Sequence, residues 1–339
     1  MTLFSPPKIK KASFLKQIQP LNTEEERLKF LFDASYNPQF EYADEIPAEK
    51  LLRHGEVHEE YLPLATKILD NIIELYGQES NFLEDAKGDQ LNRDESMVLI
   101  QEFLDRNHLT NLVKLSFSSQ YAARTALKRT TGTFTLQIRT PVLYRTNSLL
   151  GMLNHEIGTH LFRWLNEMEQ DWYERRDEFD LHNDYLLTEE GLATVNSLLA
   201  QPQPLLWSPA LNYWLVVEGS RSSFAQLNQK LKKYVDSPER RWRYCLKVKR
   251  GVDDTSSSLV FTKNQIYLRG ALQVLRWLYH NDYNPIPLYL GKISLADLPQ
   301  AQSKSTHHPI LPDFLQSPGM YVPKLKEIIL LNELEPFLK

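Results

Sequence analysis

The chain has 339 residues, 39 Lys and Arg against 43 Asp and Glu, and a formal net charge of −4. That length allows a large core in one domain or in two closely packed lobes, and the charge balance excludes a general nucleic-acid binder. A lone cysteine, Cys245, excludes an intramolecular disulfide, so any zinc site must draw on His and carboxylate side chains.

Residues 1–20 form a short polar segment in which Ser5, Pro6, Pro7 and several lysines stand where a signal peptide would be apolar. No later run approaches the roughly 18 apolar residues of a membrane span, so a cytoplasmic protein without membrane contact is expected. Residues 21–110 read as an N-terminal helical part. Apolar positions recur at threes and fours over 23–35 and 48–76, and 95–107 reads as a further helix. Inside the second stretch, "HGEVHEE" sets His54 and His58 four apart. With charged neighbours and no further ligand nearby, the pair reads as an exposed helix face. Then "LVKLSFSS" and "GTFTLQIRT" read as strands, the second placing Phe134, Leu136 and Ile138 on one face. A small sheet leading into the next element suits a protein that holds an extended peptide along a strand edge.

That next element is "NSLLGMLNHEIGTHLFRWLNE", a largely apolar helix with Asn147 or Ser148 as its expected N-cap. It carries His155, Glu156 and His160. The familiar zinc-peptidase signature places two histidines four apart, whereas here they are five apart. On a regular α-helix a five-residue step turns by about 140°, which separates the two imidazoles. A π-bulge absorbs one residue and returns both to one side, and Gly158 and Thr159, poor helix formers, are where the ladder would yield. A catalytic zinc takes three protein ligands and keeps a fourth position open. The third is expected from "LLTEEGLATVNSLLA", where Thr188 can cap a closely packed helix that opens with Glu189 and Glu190. Glu190, directly before Gly191, is the expected ligand and Glu189 the alternative.

Beyond this, "QPQPLLWSP" is a turn-rich break, helices resume through Gln229, and "YLRGALQVLRWLYH" is a late helix before a Pro-containing end. Between them lie Lys230, Lys232, Lys233, Arg240, Arg241, Arg243, Lys247, Lys249 and Arg250 against only Asp236 and Glu239. Such a run is either a solvated face or a basic rim that attracts acidic peptide tails. His307 and His308 read as loop surface. The fold class is α+β, predominantly helical, with residues 111–339 as a catalytic part of zinc-metallopeptidase type, one compact unit with the preceding helices.

"LNHEIGTHLFRWLN", "TEEGLA" and "KVKRGVDDTSSSLVFTKNQIYLRG", in that order, resemble the microtubule-associated tyrosine carboxypeptidase family. The resemblance runs from about Val113 to about Leu278. It implies a zinc metallocarboxypeptidase with His155, His160 and Glu190 as ligands of one Zn2+, Glu156 as catalytic base, and Phe261 to Gly270 closing the cleft. Zinc so held would polarise the scissile carbonyl and bring the pKa of a water towards about 7. Tyr267, in the cleft-closing stretch, is then the candidate donor to the oxyanion. A carboxypeptidase must also bind a free carboxylate, for which Arg124, Arg250 and Lys263 are candidates. The implied substrate is a C-terminal aromatic residue, tyrosine foremost, on acidic protein tails, with α-tubulin and microtubules as candidate partners. An amino- or endopeptidase, or a non-catalytic tail binder with a structural metal, are the alternatives; the latter has no use for Glu156.

Overall fold

Apolar residues at helical spacing account for most of the architecture in the computed structural model, which describes residues 13–121, 123–130, 133–142 and 144–339. Most of the polar segment 1–20 therefore lies outside the described residues, and its end forms α1 (Phe14–Gln17). The helical part continues as α2 (Thr23–Phe32), α3 (Ala48–Leu51), α4 (Leu62–Tyr76), α5 (Glu79–Lys87) and α6 (Arg93–Arg106). In α4 the buried face is Leu64, Ala65, Ile68, Leu69 and Ile72, a regular stripe. In α6 the start is set by a capping box: Asn92 accepts from Glu95 N at 2.9 Å, and Glu95 accepts from Asn92 N at 2.7 Å.

Residues 48–76 are not one helix. Gly55 at φ 92 turns the chain after α3, and Pro63 in the first turn of α4 starts a new helix. His54 and His58 lie in the connection, half-buried, so the expected exposed helix face does not exist. The unforeseen helix α5 buries Glu79 beside Phe82 and Ala86, a face too polar to stand out in sequence.

The sheet has the order β2–β4–β3, with β2 (Val113–Ser118) parallel to β4 (Thr133–Arg139) and β3 (Thr125–Thr130) antiparallel to it. Phe134, Leu136 and Ile138 are buried as the alternation requires; truncating any of them to Ala would cost about 2–5 kcal/mol. The strand without a sequence signature is β3, whose "TALKRT" lacks apolar alternation and becomes a strand through pairing with β4. A two-residue pairing of β1 (Gln90–Leu91) with β5 (Tyr144–Arg145) ties α5 and α6 to the long central helix.

That helix is built from α7 (Thr146–His155), a π-helical segment (Glu156–Leu161) and α8 (Phe162–Glu169) in one continuous rod. Its cap is neither Asn147 nor Ser148: the helix already begins at Thr146, with extended Arg145 in the cap position. The remaining helices are α9 (Leu186–Leu199), α10 (Trp207–Gly219), α11 (Phe224–Leu231), α12 (Pro238–Lys249), α13 (Ile266–His280), α14 (Leu298–Lys304), α15 (Pro318–Leu331) and α16 (Glu335–Leu338). One apolar cluster runs from Phe30 to Leu338 through most of these elements, and a smaller one, Ile18, Leu51, Val252 and Phe261, lies against α1 and α3. The helices α9 and α13 touch backbone to backbone, since a Cβ on Gly191 would lie 2.2 Å from the Gly270 carbonyl carbon. Only two glycines permit that approach. Among the described residues, no helix is long and apolar enough to cross a membrane.

Candidate metal centre

The extra residue between the histidines is absorbed as a π segment over Glu156–Leu161. Side chains from elsewhere hold it open. Thr159 Oγ1 donates to Asn154 O at 2.9 Å, five residues back, and accepts from Asn196 Nδ2 at 2.8 Å. Tyr289 OH donates to Gly158 O at 2.8 Å. Gly158 itself is required by space, because a Cβ there would sit 2.5 Å from the Phe314 ring. The weakened ladder thus keeps its carbonyls paired although regular bonds are lost.

The bulge brings His155 and His160 together, ring centroids 4.8 Å apart and planes 78° apart. Glu190 on α9 faces both: its Oε2 is 3.5 Å from His155 Nε2 and 3.9 Å from His160 Nε2. One donor atom from each of the three residues lies within 4.8 Å of the others, and among the described residues no other His, Cys, Asp and Glu group could hold a metal ion. Burial opposes charge on Glu190, but His155, His160 and Lys263, whose Nζ is 3.7 Å away, outweigh it and hold its carboxyl down at about 2.

Glu189 points the other way, because successive residues on α9 diverge by about 100°. It takes His160 Nδ1 at 2.8 Å, Arg163 Nη1 at 2.8 Å and Lys292 Nζ. Burial raises its pKa, yet Lys292 and Arg163 drive it well below the carboxylate range. With Nδ1 engaged by Glu189, the His160 tautomer presents Nε2 towards Glu190. This positioning role has no local sequence signal, since the partners of Glu189 lie 26 to 103 residues away in the chain, and neither has the wholly buried Arg163, which donates to Leu288 O at 3.0 Å and Ile293 O at 2.6 Å, more than a hundred residues away. Thr188 is not a cap: α9 begins two residues earlier, and Thr188 Oγ1 accepts from Leu295 N at 3.0 Å.

Glu156 lies beside the three, its Oε2 accepting from Leu127 N on edge strand β3 at 3.3 Å. Tyr267 lines the same cleft, and burial, with the Glu190 and Glu156 carboxylates, pushes its phenol well above 10, leaving it a donor at neutral pH. Two cavities meet here, of about 650 Å³ and about 700 Å³, and both are lined by Arg124, Thr125, His155 and Glu156. The larger also contains His160, Glu190, Arg243, Lys247, Arg250 and Lys263. The three expected carboxylate binders are thus all near, in different settings: Arg124 stacks over Tyr144 at 4.5 Å, Arg250 over Phe261 at 4.7 Å, and Lys263 leans on Glu190.

The basic run is not a single rim. Lys230 pairs with Glu218 and Lys233 with Asp70, Arg240 is spent on Glu79, and Lys249 is buried, donating to the carbonyls of Gly219, Ser222, Ser257 and Leu259. Of that run, Arg243, Lys247 and Arg250 line the larger cavity and Arg240 the smaller. His54, bland in sequence, packs edge-on against Phe261 at 6.0 Å, and burial with Arg53 and Lys263 pushes its pKa down to about 4. His307 and His308 are exposed, and Cys245 is buried.

Residues 47–323 match the family model described as Microtubule-associated tyrosine carboxypeptidase. The chain is 33% identical over 331 residues to putative tyrosine carboxypeptidase MATCAP2 of Mus musculus, covering 96% of this chain and 63% of that protein. Over 330 residues it is 32% identical to microtubule-associated tyrosine carboxypeptidase 1 of Homo sapiens, covering 96% of this chain and 69% of that protein. The rat protein of the same name is 32% identical over 334 residues, with 96% and 70% covered. The chain therefore spans between about six and seven tenths of these relatives' own length.

Proposed function

The chain belongs to the microtubule-associated tyrosine carboxypeptidase family, and from that premise we propose that it is a zinc-dependent carboxypeptidase removing a C-terminal tyrosine from acidic protein tails. Tubulin tails are the proposed substrate and the cytoplasm the proposed compartment, in keeping with the relatives' names. One observation carries the reading: His155, His160 and Glu190 converge at the junction of two cavities with a further carboxylate, Glu156, beside them.

Zinc suits this donor set. Ligands at about 2.0–2.1 Å around a tetrahedral ion lie about 3.3 Å from one another. The separations of 3.5 and 3.9 Å from Glu190 to the two histidines need only a small contraction to reach it. When bound, the ion would supply Lewis-acid polarisation of the scissile carbonyl and a more acidic water. Glu156, one oxygen of which is held by Leu127 N–H, is the base that would accept a proton from the attacking water and hand it to the leaving nitrogen. Tyr267, kept protonated by its surroundings, donates to the oxygen on which charge develops. Arg243, Lys247 and Arg250 attract the acidic residues upstream of the cleaved bond.

The test is to incubate zinc-loaded protein with acidic peptides ending in Tyr, Phe or Ala, each as free acid and as amide, and to read the products by mass spectrometry. Loss of a single Tyr from the free acid, abolished by a chelator and restored by zinc, is expected. Cleavage of the amides as well would replace the carboxypeptidase by an endopeptidase. Binding of acidic tails without cleavage, unchanged when Glu156 is replaced, would make the protein a binder.

A further inference from the structure

The smaller cavity is the least explained part of the site. It follows α7 for two turns, from His155 past Met152 and Gly151 to Ser148, about 10 Å along the helix. Its walls include the apolar side chains Leu83, Met152, Leu198 and Leu205. Four cations line it, Lys87, Arg124, Arg145 and Arg240, whereas the only carboxylate among its lining residues is Glu156 at the mouth.

Three of those cations are occupied. Arg240 donates twice to buried Glu79, at 2.9 and 2.8 Å, Arg145 Nη1 donates to Gly88 O at 2.9 Å, and Arg124 stacks on Tyr144. Lys87 is different: among the described residues its side chain makes no hydrogen bond or ion pair, and burial, together with the like charges of Arg124 and Arg240, pushes its pKa down, a shift that an anion bound beside it would reverse. Its place is nevertheless fixed. Lys87 is the last residue of α5, and that end is clamped to the start of α7 by Asn147 Nδ2 donating to Ala86 O at 3.3 Å and by Thr146 N donating to Asp89 O at 2.9 Å. A half-buried ammonium held against like charges is a costly arrangement unless an anion joins it.

Strand β3 says which end of a peptide would arrive here. Arg139 N donates to Arg124 O, so by antiparallel alternation Thr125 and Leu127 turn their own N–H and C=O groups outward, and Leu127 N reaches Glu156. A peptide added antiparallel to that edge runs its C-terminus towards Thr125. Leu127 lines only the larger cavity, whereas Thr125 lines both, so that direction leads into the smaller one.

We propose that the smaller cavity is the pocket for the substrate's C-terminal residue, its side chain against Met152 and Leu198 and its free carboxylate held by Lys87 together with Arg124. This rests on the carboxypeptidase reading and adds to it the residue that recognises a chain end: an anion gives Lys87 the partner its side chain lacks and offsets its repulsion with Arg124, and the neutral amide of a continuing chain does not. Arg250 and Lys263, on the far side of the metal centre, are left to the upstream residues.

Binding by the inactive Glu156→Gln protein tests the assignment without relying on turnover. An acidic peptide ending in Tyr is titrated by calorimetry as the free acid and as the C-terminal amide, against zinc-loaded Glu156→Gln and against the same protein carrying Lys87→Ala or Lys87→Arg. The free acid should bind more tightly than the amide. Lys87→Ala should weaken the acid by about 10- to 100-fold and the amide hardly at all, and Lys87→Arg should restore part of the difference. An acid-over-amide preference that survives Lys87→Ala in folded protein overturns the assignment and leaves the carboxypeptidase reading standing. Equal binding of acid and amide by the Glu156→Gln parent overturns both.

Discussion

Glu79 and Glu190 are both buried glutamates surrounded by cations and polar hydrogens, and they are put to opposite uses. Glu79 accepts from Arg240 Nε at 2.9 Å and Nη2 at 2.8 Å, and from Trp207 Nε1 and Tyr244 OH at 3.3 Å each. Its oxygens are closed off at hydrogen-bond distance. Around Glu190, His155, His160 and Lys263 stand at 3.5, 3.9 and 3.7 Å, converged but too far for good hydrogen bonds. Helices α7 and α9 and the Gly191 to Gly270 contact keep that spacing from collapsing. The contrast separates two kinds of buried glutamate: one is paired to contact and braces the fold, and the other has its partners converged but held apart by rigid elements, the spacing that a ligand site requires.

The largest effect that would sharpen this contrast is expected at Glu79. Its replacement by Ala strands Arg240 and should lower the stability by about 3–5 kcal/mol in urea unfolding, with the zinc content of the folded fraction unchanged. Glu190→Gln should do the reverse, losing zinc on dialysis while the metal-free protein unfolds near the parent's midpoint. If Glu190→Gln proves as destabilising as Glu79→Ala, the two clusters are alike and the distinction fails.

Next in size is Glu156→Gln, which should lower peptidase activity by about 10² to 10⁴ while zinc content and melting temperature stay those of the parent. A variant that loses zinc as well would make Glu156 a ligand. Glu189→Gln should act between the two classes, weakening zinc by about 10- to 100-fold in a competition titration, because it orients His160, and destabilising the fold through Arg163. The smallest effect is expected at the bulge. Thr159→Val removes the hydroxyl bond to Asn154 O and should cost about 1–2 kcal/mol in thermal unfolding, with a modest loss of zinc affinity. No loss at all would mean that the π segment needs no such support.

Much of this was legible in one dimension. The five-residue spacing with Gly158 and Thr159 between the histidines implied a bulge because helix geometry leaves no other way for both to share an ion. The alternation of Phe134, Leu136 and Ile138 identified their strand, and the apolar stripe of α13 its helix, since both periods are properties of the local backbone. Glu190 as partner of the histidines was also readable, through its position before a glycine on a closely packed helix.

Only the tertiary structure decided how charge is distributed around that centre. Strand β3 exists because β4 pairs with it, and it alone supplies the Leu127 N–H to Glu156. The division of labour between Glu189 and Glu190 depends on Lys292 and Arg163, and the character of Lys87 depends on Arg124, Arg145 and Arg240 each having another partner. Nothing in the local sequence distinguishes a lysine paired at the surface, such as Lys230, from one left alone in a cavity, such as Lys87. Secondary structure arises from dihedral preferences and side-chain period over a few neighbouring residues, whereas the state of a charge depends on which distant groups the fold brings within a few ångströms of it.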